Sequence, residues 1–464
     1  MLLGETESLC PVCLRRVAAR RVAEDDDVYL EKDCPEHGPH RALIWRGARL
    51  YLDWARHGRA VAATHHKLTT SVQGCPYDCG LCPEHKGDTC TAVIEVTARC
   101  NLNCPICFAS AFSSSPHPSA APAPPTPDPS LDKLRDMLHA LLDSSGPCPV
   151  QLSGGEPTLR DDLPEVVSLA QELGFGHIQV NTNGVRIAGD ASYLKRLADS
   201  GTSVIYLQCD GVSDDVYRHT RGAALAEIKT RALANCAEAK MGVILVPTLV
   251  PGVNDHQIGD IVRLAKEWMP TVKGIHFQPV SYFGRFPHPP QDHDRLTIPD
   301  LLQAIELETG GEIKRENFAP RTRQESHCAF AGLFVLMEDG KLLPITHFDP
   351  TTPPSGQGAK ESPAEHTRRF IEHKWRFAEQ KGSGCSCQPG SWLELFDRAR
   401  AYSLSISGMP FQDAGNIDLE RLKTCCVHVV APWQRLVPLC AYYLTSVDGR
   451  RLYSSELRAA VHPG

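Results

Sequence analysis

The segment VIEVTARCNLNCPICFAS sets Cys100, Cys104 and Cys107 directly behind a β-rich run, in Cx3Cx2C spacing. Three thiolates on one short loop can hold three irons of a 4Fe-4S cluster and leave the fourth without a protein ligand. An open iron can be chelated by an amine and a carboxylate, and one electron can then pass into the molecule so bound. A second trio, Cys75, Cys79 and Cys82, repeats the spacing within SVQGCPYDCGLCPEHKGDTC, where Cys90 is at hand as a fourth thiolate. A cluster saturated in this way transfers electrons but binds nothing more. Context separates the trios, since only the Cys100 loop follows a predicted strand; a zinc knuckle over 75–90 is the alternative for the other.

Nineteen cysteines in short-range clusters point to metal and not to a secreted disulfide scaffold. Cys10-Pro-Val-Cys13 and Cys34-Pro-Glu-His37 have the knuckle spacing of a small zinc ribbon or rubredoxin-like module. Zinc and iron both fit, and the histidine favours zinc. Near the C-terminus Cys328, Cys425, Cys426 and Cys440 either form a third cluster across a hairpin or are free buried cysteines, which pack as small hydrophobes. Cys385 and Cys387 lie in a loop, and Cys148, Cys209 and Cys236 are isolated and structural.

The elements that must position these groups alternate from Val93 onward. β-Rich runs at 93–97, 150–153, 177–181, 204–209, 242–247 and 274–279 are separated by helical patterns. Ser130 is placed to cap one helix, Gly174 to stop the next and Asn254 to cap IVRLAKEW. Such units imply a parallel sheet wrapped by helices, open or curled into a partial barrel, with chemistry at the C-terminal ends of its strands. The Pro-rich stretch 113–130 reads as an extended insertion without a catalytic role. Beyond about residue 310 the alternation weakens, and a small α+β domain closing the barrel is expected.

Within QLSGGEPTL, Gly154, Gly155 and Glu156 end the second strand, where glycines admit close approach of a ligand to the backbone. This pairing of a Cx3Cx2C loop with a Gly-Gly-Glu strand end resembles the radical S-adenosylmethionine (SAM) superfamily over about residues 93–280. The resemblance implies a partial (β/α)6 barrel in which SAM is reductively cleaved to a 5'-deoxyadenosyl radical. It also implies SAM contacts from Gly154, Gly155 and Glu156, and from Asn181, Asn183, Gln208, Asp210, Thr248 and Asn254 at the later strand ends. One departure is Ile106 before the third cysteine, where the superfamily often has an aromatic residue; Phe108 follows it.

The order of elements, from CPxC...CPxH ribbon to CCVHVV...LVPLCAYYL, resembles the tetraether lipid synthase group, whose members include methyltransferases of 7,8-dihydro-6-hydroxymethylpterin. Carbon–carbon bond formation on lipid chains is the leading reading on that basis. The alternatives are methyl transfer to a pterin or other small molecule, peptide modification, or a non-catalytic metalloprotein. A long apolar tunnel would speak for lipid and a compact polar pocket for a pterin or peptide. The expected cofactors are SAM, one SAM-binding and one or two auxiliary 4Fe-4S clusters, and zinc or iron in the N-terminal module.

The division expected is a ribbon over 1–70, an auxiliary cluster loop over 71–92, the core over 93–310 and the C-terminal domain over 311–464. A net charge of -7 gives no basic field for nucleic acid. Neither a signal peptide nor an apolar stretch of membrane-spanning length is apparent, so a cytoplasmic location is expected. The partners expected are a small-molecule or lipid substrate and an external one-electron reductant of ferredoxin or flavodoxin type, with peripheral membrane contact if the substrate is lipid.

Overall fold

The computed structural model describes residues 1–58, 69–110, 112–113, 127–321, 325–349, 363–378 and 398–453. Most of the Pro-rich insertion, and both Cys385 and Cys387, lie outside the described residues. The N-terminal module is an antiparallel sheet of β1 (Leu2–Leu9), β2 (Arg16–Glu24), β3 (Asp27–Cys34) and β4 (Gly38–Arg46), joined in that order. Its two knuckles, between β1 and β2 and between β3 and β4, meet at one end.

The core begins with β5 (Thr91–Thr97), followed by the two-residue pair β6 (Arg99–Cys100) and β7 (Phe112–Ser113). Then come β8 (Val150–Gly154), β9 (Ile178–Thr182), β10 (Val204–Gln208), β11 (Gly242–Val246), the short β12 (Thr248–Leu249) and β13 (Val272–Pro279). Each expected run is a strand, with its ends moved by a residue or two. β5, β8, β9, β10, β11 and β13 lie side by side in that order, all parallel. The helix Leu131–Ser145 starts at Ser130, whose side chain accepts from the Lys133 N–H at 3.2 Å. Asn254 sits one turn earlier than expected: it precedes the short turn Asp255–Gln257, and Gln257 begins the helix Ile258–Glu267.

Side chains alternate across these strands. Val150, Leu152, Ile178, Val180, Ile205, Leu207, Val243, Leu245, Ile275 and Phe277 belong to the apolar core that the helices cover. The residues between them face the inside of the sheet and are largely polar.

The C-terminal segment joins this sheet instead of building a sheet of its own. β14 (Ala319–Pro320), β15 (Phe330–Leu336), β16 (Leu342–Pro344) and β17 (Ser403–Gly408) extend it beyond β13, with β17 parallel to β13. At the opposite edge β18 (Val427–Val430) pairs parallel with β5 and turns back through a hairpin to β19 (Leu436–Pro438). Eight neighbouring strands, from β18 to β17, are therefore parallel, and residues 409–426 cross from one edge of the sheet to the other. Among the described residues no helix is long and apolar enough to cross a membrane.

The ribbon packs on this crossing segment. Thr6 donates to Asp418 at 2.8 Å, Arg21 Nε donates to the same carboxylate at 2.6 Å, and the buried Lys32 ammonium donates to the Ala414 carbonyl at 2.9 Å. Replacing Asp418 with alanine leaves the half-buried Arg21 charge without its partner and uncaps the helix Leu419–Leu422, which costs about 1–2 kcal/mol. Denaturant unfolding should register that loss. Hydrogen exchange should become faster in β1 and β2 while β8, β9 and β10 keep their protection; unchanged exchange in β1 and β2 would contradict the docking role.

Candidate active site and metal centres

Cys100, Cys104 and Cys107 lie on the loop leaving the C-terminal end of β5, and all three line a cavity that runs down the inner face of the sheet. The base of the loop is tied to the end of β8 by two backbone hydrogen bonds, Gly155 N–H to Thr97 O (2.8 Å) and Glu156 N–H to Arg99 O (2.7 Å). A side chain at 154 would overlap the Thr97 carbonyl, and one at 155 the Arg99 carbonyl. The glycines therefore admit the cysteine loop's own backbone, a role distinct from the ligand approach expected of them. Glu156 is buried and accepts from the Thr158 backbone (3.1 Å) and hydroxyl (2.6 Å), the Thr182 hydroxyl (2.6 Å) and the Asn183 N–H (2.7 Å), so it locks β8 to β9.

From the other side, Arg285 donates through Nε to the Cys104 carbonyl at 2.8 Å and exchanges backbone hydrogen bonds with Cys107. Gly284 precedes it at φ 57°, where a Cβ would overlap the loop. Burial pushes the Cys100 thiol up to about 12, so the positive charge of bound iron is what would keep these sulfurs as thiolates. An all-sulfur donor set on one loop, opening on a cavity, fits an iron-sulfur cluster.

Of the residues expected to contact SAM, Gly154, Gly155, Glu156, Asn181, Asn183, Gln208 and Thr248 line this cavity. Asp210 and Asn254 do not, which corrects the expectation for both. The Asp210 carboxylate is wholly enclosed and taken by Arg221 (2.6 and 2.8 Å), the Thr220 hydroxyl (2.7 Å) and the Thr248 N–H (2.9 Å). Asn254 donates to the carbonyls of Asp210 (2.8 Å) and Thr248 (2.7 Å) and accepts from the Val250 N–H (2.7 Å). They act through what they hold, and what Asp210 holds is Arg221. That guanidinium ends the helix Asp214–Arg221, lines the cavity together with Cys104 and sets its positive charge against the burial that raises the Cys104 thiol. Sequence reasoning missed Arg221, Gly284 and Arg285, because nothing near them in the chain marks them as neighbours of the cysteine loop.

The remaining cysteines regroup. Cys75, Cys79 and Cys82 are all buried, and the Tyr453 hydroxyl donates to the Pro76 carbonyl in their loop. Their loop is anchored to the ribbon through Tyr77, which donates to the Leu14 carbonyl at 2.8 Å. Cys90 is not their fourth partner: its sulfur lies 2.8 Å from that of Cys426, and both line the main cavity. The reason is the pairing of Thr91 in β5 with Val427 in β18, which fixes the residues before them side by side. Cys328, Cys425, Cys426 and Cys440 border a second, smaller cavity, where Arg421 donates to the Cys328 sulfur at 3.3 Å. In the ribbon, the donor atoms of Cys10, Cys13, Cys34 and His37 all lie within 4.8 Å of one another, a compact set suited to one tetrahedral ion. The His37 hydrogen bond lowers the Cys34 thiol to about 6.

Residues 94–265 match the model of the Radical SAM superfamily, and residues 2–46 match that of the HMPTM N-terminal zinc ribbon domain. The chain is 36% identical over 486 residues to the 7,8-dihydro-6-hydroxymethylpterin dimethyltransferase of Methanocaldococcus jannaschii, covering 94% of this chain and 93% of that one. The chain belongs to the radical SAM superfamily. More distant similarity joins this radical SAM enzyme to the GTP 3',8-cyclase of Desulforamulus reducens, 26% identical over 307 residues, which cover 61% of this chain and 90% of that one. The Fe-coproporphyrin III synthase of Methanosarcina barkeri is 29% identical over 245 residues, 51% of this chain and 55% of its own length. SAM and a 4Fe-4S cluster are the cofactors this membership carries, and the ribbon carries a metal.

Gly155→Ala drives the Arg99 carbonyl off its position and should cut the iron bound by the Cys100 loop, measured after anaerobic reconstitution, while zinc stays constant. Cys34→Ala should do the reverse, with loss of one zinc and little change in iron. Equal loss of both metals from both variants would show that the two sites do not form independently.

Proposed function

We propose that this radical SAM enzyme acts on a small, polar heterocycle of the pterin class, with methyl transfer as its outcome, and does not couple lipid chains. The observation that carries this reading is the inner face of the sheet. Gln151 and Ser153 on β8, Gln179 and Asn181 on β9, Tyr206 and Gln208 on β10, and His276 and Gln278 on β13 all line the cavity. An alkyl chain would leave the Gln179 and Asn181 amide ends without partners, whereas a heterocycle rich in N–H and C=O groups satisfies them. The likeness to a pterin dimethyltransferase over nearly the whole chain points the same way.

A 4Fe-4S cluster held there would supply the one electron needed for reductive cleavage of the SAM carbon–sulfur bond. Cys100, Cys104 and Cys107 would hold that cluster, and Arg221, fixed by Asp210, offers its positive charge to the SAM carboxylate. We assign Asn183, Gln208 and Thr248, which line the same cavity, to the rest of SAM, and the walls of the sheet would keep bulk water from a reactive carbon. We assign auxiliary clusters to the Cys75, Cys79 and Cys82 loop and to the C-terminal set of Cys328, Cys425, Cys426 and Cys440, with Cys90 joining the latter. Their electrons would come from a ferredoxin or flavodoxin in the cytoplasm.

Reconstituted enzyme given SAM and reductant should release 5'-deoxyadenosine in the presence of a 7,8-dihydropterin; because the SAM cleaved in this way leaves its methyl on methionine, a methylated pterin should appear by mass spectrometry when a separate one-carbon donor is supplied. The Cys100, Cys104 and Cys107 triple alanine variant should lose about four irons, the content of one cubane, together with all SAM cleavage. Release of deoxyadenosine with a lipid extract and none with the pterin would defeat the proposal.

A further inference from the structure

Gln179 and Asn181 stand two residues apart on the inner face of β9, and both line the cavity. Among the described residues, Gln179 Nε2 and Asn181 Oδ1 are buried atoms without a hydrogen-bond partner. Asn181 Nδ2 donates to the Ser153 hydroxyl at 3.2 Å, so whichever way this amide is turned one end is left over. Buried amide ends are normally paired, and each exception calls for a reason. Their strand partners point to one. Gln151 on β8 lies opposite Gln179, and Tyr206 on β10 lies opposite Asn181, so amides and a ring form one patch.

Beyond the patch the wall turns aromatic. The Tyr206 ring is 5.8 Å from Trp375 and 6.0 Å from His276, and the Arg321 guanidinium lies 5.4 Å over Trp375. Flat rings rest against such faces and present their edges to whatever lies beside them.

We propose that this amide patch is the substrate subsite, in which Gln151, Gln179 and Asn181 read the N–H and C=O edge of a planar nitrogen heterocycle held against Tyr206 and Trp375. The assignment rests on the heterocyclic reading given above and names the residues that select the substrate. It also supplies the selectivity. A site built to hydrogen-bond its substrate rejects a molecule without those groups far more strongly than an apolar pocket rejects a polar one.

The test is a fluorescence titration of anaerobically reconstituted enzyme with 6-hydroxymethylpterin. Gln179→Leu and Gln151→Leu should each weaken binding by about tenfold, the worth of one buried hydrogen bond. Their iron content, and the spectral change on adding SAM, should match the wild type. Should Gln179→Leu lose iron, Gln151→Leu, whose side chain is less enclosed, decides the matter. Wild-type affinity in the variants that keep their iron overturns the subsite, and leaves the functional proposal standing if the wild type still methylates the pterin. A wild type that neither binds nor methylates pterin overturns both.

Discussion

The site depends on a backbone contact that only glycine permits. Where β8 ends, Gly154 and Gly155 lie so close to the Thr97 and Arg99 carbonyls that no Cβ fits between them. The resulting hydrogen bonds fix where the cysteine loop leaves the sheet, and every other anchor works from that starting point. Glu156, next in the chain, spreads the restraint to the end of β9 through hydrogen bonds from Thr182 and Asn183. Arg221 reaches the loop from beyond β10 under the control of Asp210, and Arg285 reaches it from beyond β13. Three thiols that must meet three irons at fixed separation are thus held by strands on both sides of the barrel's mouth, which is what preorganisation of a metal site requires.

The two faces of the sheet divide the work. The outer face buries aliphatic side chains under the helices, and each fully buried Val, Leu or Ile contributes about 1.5–3 kcal/mol. The inner face mixes the apolar Val204, Ile244 and Val246 with Gln151, Gln179, Asn181 and His276, and it includes amide ends without partners among the described residues, each of which costs about 1–3 kcal/mol. The outer face outweighs that cost many times over, so the sheet can keep an unsatisfied interior ready for a ligand. The same arithmetic explains why the polar residues are confined to one face: a register slip by a single residue would exchange the two sets and bring glutamines into the core.

Features set by short stretches of chain were legible in the sequence. The cysteine loop, the glycine pair, the six core strands, the Ser130 cap and the ribbon knuckles all follow from neighbouring residues. Features set by pairing between distant strands were not. Cys90 meets Cys426, 336 positions away, because β18 adds to the edge of β5, and no local pattern announces that addition. Asp210 and Asn254 were read as ligands because a polar residue at a strand end looks the same in sequence whether it faces a cofactor or holds a neighbour. The polar interior was present as Gln-x-Ser, Gln-x-Asn and His-x-Gln alternation within predicted strands. Asn181 and Gln208 stand out as polar strand ends, but Gln151, Gln179, His276 and Gln278 lie within runs whose β character is all that the sequence reading uses.

The segment 409–426 explains how so many cysteines can serve one reaction. Met409 and Phe411 line the main cavity, and Gln412 donates its N–H to the Cys440 sulfur at 3.3 Å. Ala414, Ile417 and Asp418 receive the ribbon. Arg421 donates to Cys328, and the Lys423 carbonyl accepts from Lys86 at 2.7 Å, which joins the segment to the loop of Cys82. It ends at Cys425 and Cys426, whose thiols border the smaller cavity. One crossing strap therefore touches the ribbon, both auxiliary cysteine groups and the cavity wall. Metal ligation organises polypeptide that would otherwise be loose, and a metal in the ribbon would steady the strap that packs on it. The segment that crosses the sheet therefore takes its position from the ribbon and from residues beside two cysteine groups, and it carries Met409 and Phe411 to the wall of the main cavity.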